Sequence, residues 1–183
     1  MGSPGRSRQV PTHLLPLFTG VRLTMVRVVP VTREWAEALA QGDAVFQQRF
    51  GIPVEAGWFG FPEAIGFLVK AGKGEVSSEW GPQLFFDEDG ALVGNGGWKG
   101  PPTEGTAELG YSVAPSRQGR GIATAAVLEL IERGRKAGLR RVIAHTLPEE
   151  SASTTVLMRC GFQKTGERLD PDDGLVWRWE LPL

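Results

Sequence analysis

With a single cysteine, Cys160, the chain can form no internal disulfide and offers no ligand set for a cysteine-rich zinc site. No metal is expected, and a reducing cytoplasm is the compartment this usage fits. Long apolar runs are missing too: none approaches the roughly 20 residues that cross a bilayer, so no membrane partner is expected. Nor is there an excess of one charge. The 20 Lys and Arg against 21 Asp and Glu leave a formal net charge of -1, which supplies no global field for nucleic acid. Internal repeats and low-complexity tracts are absent. Acids are absent from the first 24 residues, where Arg6, Arg8 and Arg22 occur and Glu34 is the first carboxylate. Pro4, Pro11 and Pro16 prevent a regular helix there, no amphipathic face of a transit peptide is visible, and "HLLPLF" (13–18) is too short for a secretory core. Residues 1–24 read as a flexible extension. The 183 residues, 41% hydrophobic and 22% charged, otherwise fit one globular domain over 25–183.

What is present is an alternation of strand and helix signals. "MVRVVPV" (25–31) is β-branched and reads as a strand. Thr32 caps a helical stretch carrying Trp35, Ala38, Leu39 and Phe46, which Gly42 breaks into one or two pieces. A glycine- and aromatic-rich segment follows over 51–82, with a short helix from Pro62 to about Lys70. "QLFFDEDGALVG" reads as a hairpin turning at "DEDG", and "TAELGYSV" as the next strand after "GPPTEG". A helix with Ile122, Ala126, Leu130 and Ile131 on one face stops near Gly138. "RRVIAHTL" (140–147) is a buried-type strand, "SASTTVLMRCG" (151–161) a short helix, and "FQKTGERL" and "LVWRWEL" a closing hairpin across "DPDDG". The order predicts a mixed α/β fold with one parallel pair flanking the long helix.

The stretch "SRQGRGIATAAV" (116–127) puts two glycines and two arginines where that helix begins. A helix start leaves about four N–H groups unpaired and carries partial positive charge, so it suits a phosphate. Three designs compete for it. The P-loop pattern fails: "KAGKGEV" has Phe67 at its first glycine position and Gly74 in place of the hydroxyl. The dinucleotide fingerprint fits poorly, because Thr124 stands at its sixth place and "AHTL" carries no carboxylate for a ribose. Gln118-Gly119-Arg120-Gly121-Ile122-Ala123 does follow the acyl-CoA pyrophosphate signature Q/R-x-x-G-x-G/A, between a strand and a helix.

On "AELGYSVAPSRQGRGIATAAV" (107–127) and "EESASTTVLMRCGF" (150–162), in this order, the sequence resembles the GNAT superfamily of N-acetyltransferases, and within it the ribosomal-protein N-terminal acetyltransferase type. The resemblance covers the chain from about Met25 onward. It implies a mostly antiparallel central sheet of about six or seven strands with one parallel pair and helices on both faces. It also implies acetyl-CoA as cosubstrate. Glycines 119 and 121 would let the backbone reach the pyrophosphate, Ala123 would keep the helix start narrow, and N–H groups of Gly119 to Thr124 would point at the phosphates. Arg117 or Arg120 would add charge. The backbone of Tyr111, Ser112 and Val113 would pair with the pantetheine arm as a false strand.

Amine acetylation requires a base for the ammonium, support for a developing oxyanion and a proton for the leaving thiolate. Glu108, on the strand before the loop, is the candidate base; its alternative is a solvent-facing strand carboxylate. Where relatives carry Asn and, seven residues on, an acidic Tyr, this chain has Glu150 and Leu157. The leaving-group acid is therefore open. Ser153 is positioned to bond the sulfur or a water, or simply to serve the helix start. Glu150 either meets the pantetheine or caps that helix. Tyr111, the only tyrosine, is expected to pack, His145 to be a satisfied structural histidine, and Cys160 to be core. Specificity for the acceptor, a peptide N-terminus or a small-molecule amine, should come from the segment between Gly51 and Trp80. Trp177 and Trp179 share a strand face, leaving Arg178 to solvent. The expected protein is a monomeric or homodimeric N-acetyltransferase; a catalytically idle acyl-CoA-binding module is the alternative.

Overall fold

The computed structural model describes residues 25–60 and 65–183. The extension expected at 1–24 lies outside them, as does the start of the short helix expected from Pro62. In chain order the elements are β1 (Arg27–Pro30), α1 (Arg33–Gln41), α2 (Asp43–Phe50), α3 (Ile65–Gly72), β2 (Pro82–Phe86), β3 (Leu92–Trp98), β4 (Thr106–Val113), α4 (Ile122–Lys136), β5 (Arg141–Thr146), α5 (Ala152–Arg159), β6 (Gln163–Asp170) and β7 (Gly174–Pro182). They form a seven-stranded sheet in the order β1-β2-β3-β4-β5-β7-β6. Only β4 and β5 pair in parallel, flanking α4 as the helix crossover requires.

Alternation along the strands assigns each face its helices. Phe85, Val93 and Leu109 turn toward Ala126, Val127 and Leu130 of α4, with Leu157 of α5 joining that core. Leu84, Phe86 and Leu92 turn the opposite way onto Ala38, Phe46 and Leu68 of α1 to α3. Each such fully buried side chain contributes about 1.5–3 kcal/mol. Thr32 Oγ1 accepts the Trp35 N–H at 3.2 Å to start α1, and Gly42, at φ 121°, separates α1 from α2 as its sequence position suggests. The turn after β2 is fixed by the buried Asp87 carboxylate, which accepts the N–H groups of Asp89 and Ala91 at 3.1 and 3.0 Å.

Helices α1 to α3 cover only the β1–β3 side of their face. The β4–β5–β7 part of that face presents Glu108, Ile143, His145, Arg178 and Glu180, all partly exposed. The site is built there and at the seam between β4 and β5.

Candidate functional site

The parallel ladder between β4 and β5 is short. It has three rungs, Thr106–Arg141, Ala107–Val142 and Glu108–Ile143. Beyond Glu108 both strands continue, β4 to Val113 and β5 to Thr146, without pairing each other. On its other edge β4 stays paired to β3: Lys99 N–H donates to Glu108 C=O and Ala114 N–H to Val93 C=O, at 2.9 and 2.8 Å. Antiparallel alternation therefore turns the polar backbone of Tyr111 and Val113 toward the opening. The Val113 carbonyl there receives the Gln118 side-chain amide at 3.1 Å, which ties the glycine loop to the strand end.

The loop after β4 makes a short 3-10 turn at Pro115–Arg117 and then passes through Gly119 and Gly121, both left-handed at φ 73° and 81°. Glycine is the residue that takes such angles without strain. Gly121 is the N-cap of α4 and brings no capping side chain. The helical ladder begins with Ala125 N–H on Gly121 C=O at 2.9 Å, so the amides of Ile122, Ala123 and Thr124 precede the first ladder bond. A Cβ built on Gly119 would meet nothing within 4 Å. The loop is thus open on the side where its backbone faces out.

Arg117 does not add charge to this cradle. Its guanidinium bonds Glu55 Oε1 at 2.6 Å and Asp87 Oδ2 at 3.0 Å, and the Ser116 hydroxyl donates to Glu55 Oε2 at 2.7 Å. Arg117, then Ser116, hold the Glu55 carboxyl below its usual range, and the Arg120 charge acts on it too. No local pattern signals this pairing, because Glu55 and Asp87 are remote along the chain. The result is a strut between the loop and the segment expected to hold the acceptor. That segment is fastened elsewhere as well: Asn95 Nδ2 donates to the carbonyls of Trp58 and Phe59 at 3.1 and 2.8 Å. The Trp58 indole reaches Asp43 at 3.0 Å, and a Cβ on Gly60 would overlap Ser112 Oγ.

Glu108 occupies the last rung before the opening. Its Oε1 takes Lys99 Nζ at 2.6 Å and His145 Nδ1 at 2.9 Å. Burial alone would raise its pKa, but the bonds from Lys99 and His145 outweigh burial and hold the carboxyl below its ordinary 4.5. It is ionised at neutral pH, so His145 Nδ1 carries the hydrogen in that contact. In the neutral ring the lone pair is then on Nε2, which is buried and meets no hydrogen-bond partner among the described residues. His145 is therefore not the satisfied core residue expected from the sequence. No spacing signal could have found it, since Glu108 and His145 meet only across the parallel pair.

Across the opening, α5 is capped by Ser151, whose hydroxyl accepts the Thr154 N–H while Thr154 Oγ1 accepts the Ser151 N–H. Glu150 is not the cap. Tyr111 packs as expected, half-buried against the core, with its hydroxyl on the Ser153 carbonyl at 2.9 Å, and burial drives its pKa up. Leu157 is 1% exposed in the α4–α5 core, as is the nearby Cys160 at 7%. Arg178, on the opposite strand face from the two tryptophans, is partly exposed and bonds Glu180 at 2.8 Å. A separate cleft of about 400 Å³, between Trp80, Trp98 and Arg133, sits at the far end of α4 and shares no residue with this site.

An unpaired strand edge thus runs into a helix start that no side chain caps. Among the described residues no cluster suited to a metal ion occurs, and no helix is long and apolar enough to cross a membrane. Residues 26–163 match the acetyltransferase (GNAT) domain family. The chain belongs to that family. It is an acyl-CoA-dependent N-acetyltransferase, with acetyl-CoA as cosubstrate. No curated protein sequence matches it significantly, but solved structures share the GNAT fold. Mycobacterium smegmatis RimJ in complex with CoA-disulfide superposes with a TM-score of 0.61 at 24% identity, over 86% of this chain and 81% of its own. The ribosomal-protein-S5-alanine acetyltransferase of Vibrio fischeri gives 0.55 at 19% identity, over 86% and 91%. The microcin C7 self-immunity acetyltransferase MccE, in complex with acetyl-CoA and AMP, gives 0.61 at 17%, over 86% and 92%.

Proposed function

We propose that this GNAT protein acetylates a primary amine, at a protein N-terminus or on a small molecule, by direct attack of the amine on acetyl-CoA. One observation carries the reading: an ionised carboxylate, Glu108, stands on the last paired rung below the opening with two nitrogen partners on one oxygen. An alkyl ammonium titrates near 10, so at neutral pH a group must take its proton. Glu108 does this. His145 positions the carboxylate through Nδ1, and the Ser153 hydroxyl serves the leaving sulfur. The cofactor rests on Tyr111 to Val113, Gln118 and the 119–124 amides. The ribosomal-protein-S5-alanine acetyltransferase bears on a protein amine as acceptor, and the microcin C7 self-immunity acetyltransferase on a small molecule.

A thermal melt with acetyl-CoA, CoA, NADPH and ATP, followed by CoA release with a panel of amines and N-terminal peptides, tests this. A specific ligand at ~100 times its Kd stabilises by about 2.7 kcal/mol, a shift of several degrees. Stabilisation by acetyl-CoA and CoA with amine-dependent release supports the reading. Stabilisation without release under any amine would make the chain an acyl-CoA-binding module instead, and a response to NADPH alone would overturn the cofactor site.

A further inference from the structure

Lys99 follows β3 directly, and its N–H pairs with the Glu108 carbonyl. Its side chain, 61% exposed, turns onto the same rung, so the ammonium sits 2.6 Å from Glu108 Oε1. A Cβ built on Gly110 would lie 3.8 Å from Lys99 Cε. Gly110 is the second residue past the last β4–β5 rung, so the stem of Lys99 crosses the strand where the opening begins. The chain thus holds an amine of its own on the proposed base, beside the gap that fits the acyl arm. The other lysines, Lys70, Lys73, Lys136 and Lys164, lie on α3, on the turn just after it, on α4 and on β6, away from this rung. Two of them pair with surface carboxylates, Lys136 with Glu132 and Lys164 with Glu167.

We infer that Lys99 is a self-acetylation site: its Nζ is acetylated by the acetyl-CoA bound in the same molecule. This rests on the proposed role of Glu108. The ammonium gives one proton to the Glu108 carboxylate and becomes a nucleophile. The Nζ–carbonyl carbon bond forms as the thioester C–S bond breaks. CoA departs as its thiol, the second amine proton meeting the charge on sulfur. Lysine becomes a neutral amide, Glu108 passes its proton to solvent, and the carboxylate is left without the cation that occupied it. In the unmodified protein an acceptor ammonium must displace Lys99 from Glu108; in the acetylated protein that competitor is gone.

The experiment incubates the purified chain with acetyl-CoA and no acceptor, follows intact mass, and maps acetyl-lysine by peptide sequencing. The expected result is one acetyl group at Lys99, gained at least about 100-fold faster than at the other four lysines, the low end of what a positioned base supplies. Its rate constant should not change with protein concentration, because donor and acceptor share a molecule. Lys99→Arg should gain none at this position. Labelling of Lys99 no faster than of Lys70 or Lys164 would overturn the site; if amine turnover persists in the same preparation, the transfer reading stands without it. Selective labelling of Lys99 that survives in Glu108→Gln at the original rate would support the site and overturn Glu108 as its base.

Discussion

The Tyr111 hydroxyl donates to the Ser153 carbonyl at 2.9 Å, joining β4 to the first turn of α5 across the gap where the strands part. Its hydrogen is committed to a backbone acceptor, and burial raises its pKa, so the chain's sole tyrosine is a fastener. Tyr111→Phe should cost about 1 kcal/mol of stability, the net worth of one hydrogen bond. The alkaline limb of a kcat–pH profile should not move. A limb that shifts in the variant would return Tyr111 to the chemistry.

Glu108→Gln keeps the shape and removes the proposed base. Amine acetylation should fall by about 100-fold or more in kcat, with the acetyl-CoA melting shift unchanged. The same variant reports on stability. The native carboxyl titrates below its ordinary 4.5. Its ion-pair stabilisation is therefore full above that value and lost as pH falls through the native one. Urea unfolding from about pH 7 down to about pH 3.5 should show the gap between protein and variant narrowing on acidification.

Gly119→Ala separates fold from ligand. The added methyl meets nothing within 4 Å, so the unliganded protein should lose only about 1 kcal/mol, for a left-handed angle at a residue with a Cβ. The same methyl projects into the space assigned to the pyrophosphate. The acetyl-CoA melting shift should largely disappear, and a retained shift would move the phosphate site elsewhere.

Leu157→Tyr tests whether the tyrosine of relatives can simply be restored. Leu157 is 1% exposed between α4 and α5, and a larger, polar ring there should destabilise by about 1–3 kcal/mol. No gain in kcat is expected. A rise in kcat would show that the α5 helix can present that position to the opening.

Much of this was legible in local patterns. Gly42 between two helical stretches, "DEDG" between apolar runs and the β-branched 140–147 run each carry their element in their own residues, and the structure places all three accordingly. The glycine loop was legible for the same reason, as a short run with a fixed spacing. What local pattern could not carry is pairing across distance. The Arg117–Glu55–Asp87 group and the His145–Glu108–Lys99 group join residues that the fold alone brings together. Arg117 read as a phosphate ligand, and His145 as a satisfied structural histidine, because nothing near them in the chain names their partners.

The three-rung seam between β4 and β5 has a mechanical consequence. On one side lie β1 to β4 and on the other β5, β7 and β6, each a ribbon of antiparallel registers four to seven pairs long. Such ribbons resist shear, so the cheapest deformation of the sheet is a yawning of the seam, with α4 as the spine that limits it. A guest lying along Tyr111 acts as a wedge that sets the angle between the ribbons. Backbone amide exchange at residues 109–113 and 144–146 should therefore slow together when acetyl-CoA binds, while the antiparallel ladders on either side stay as they were.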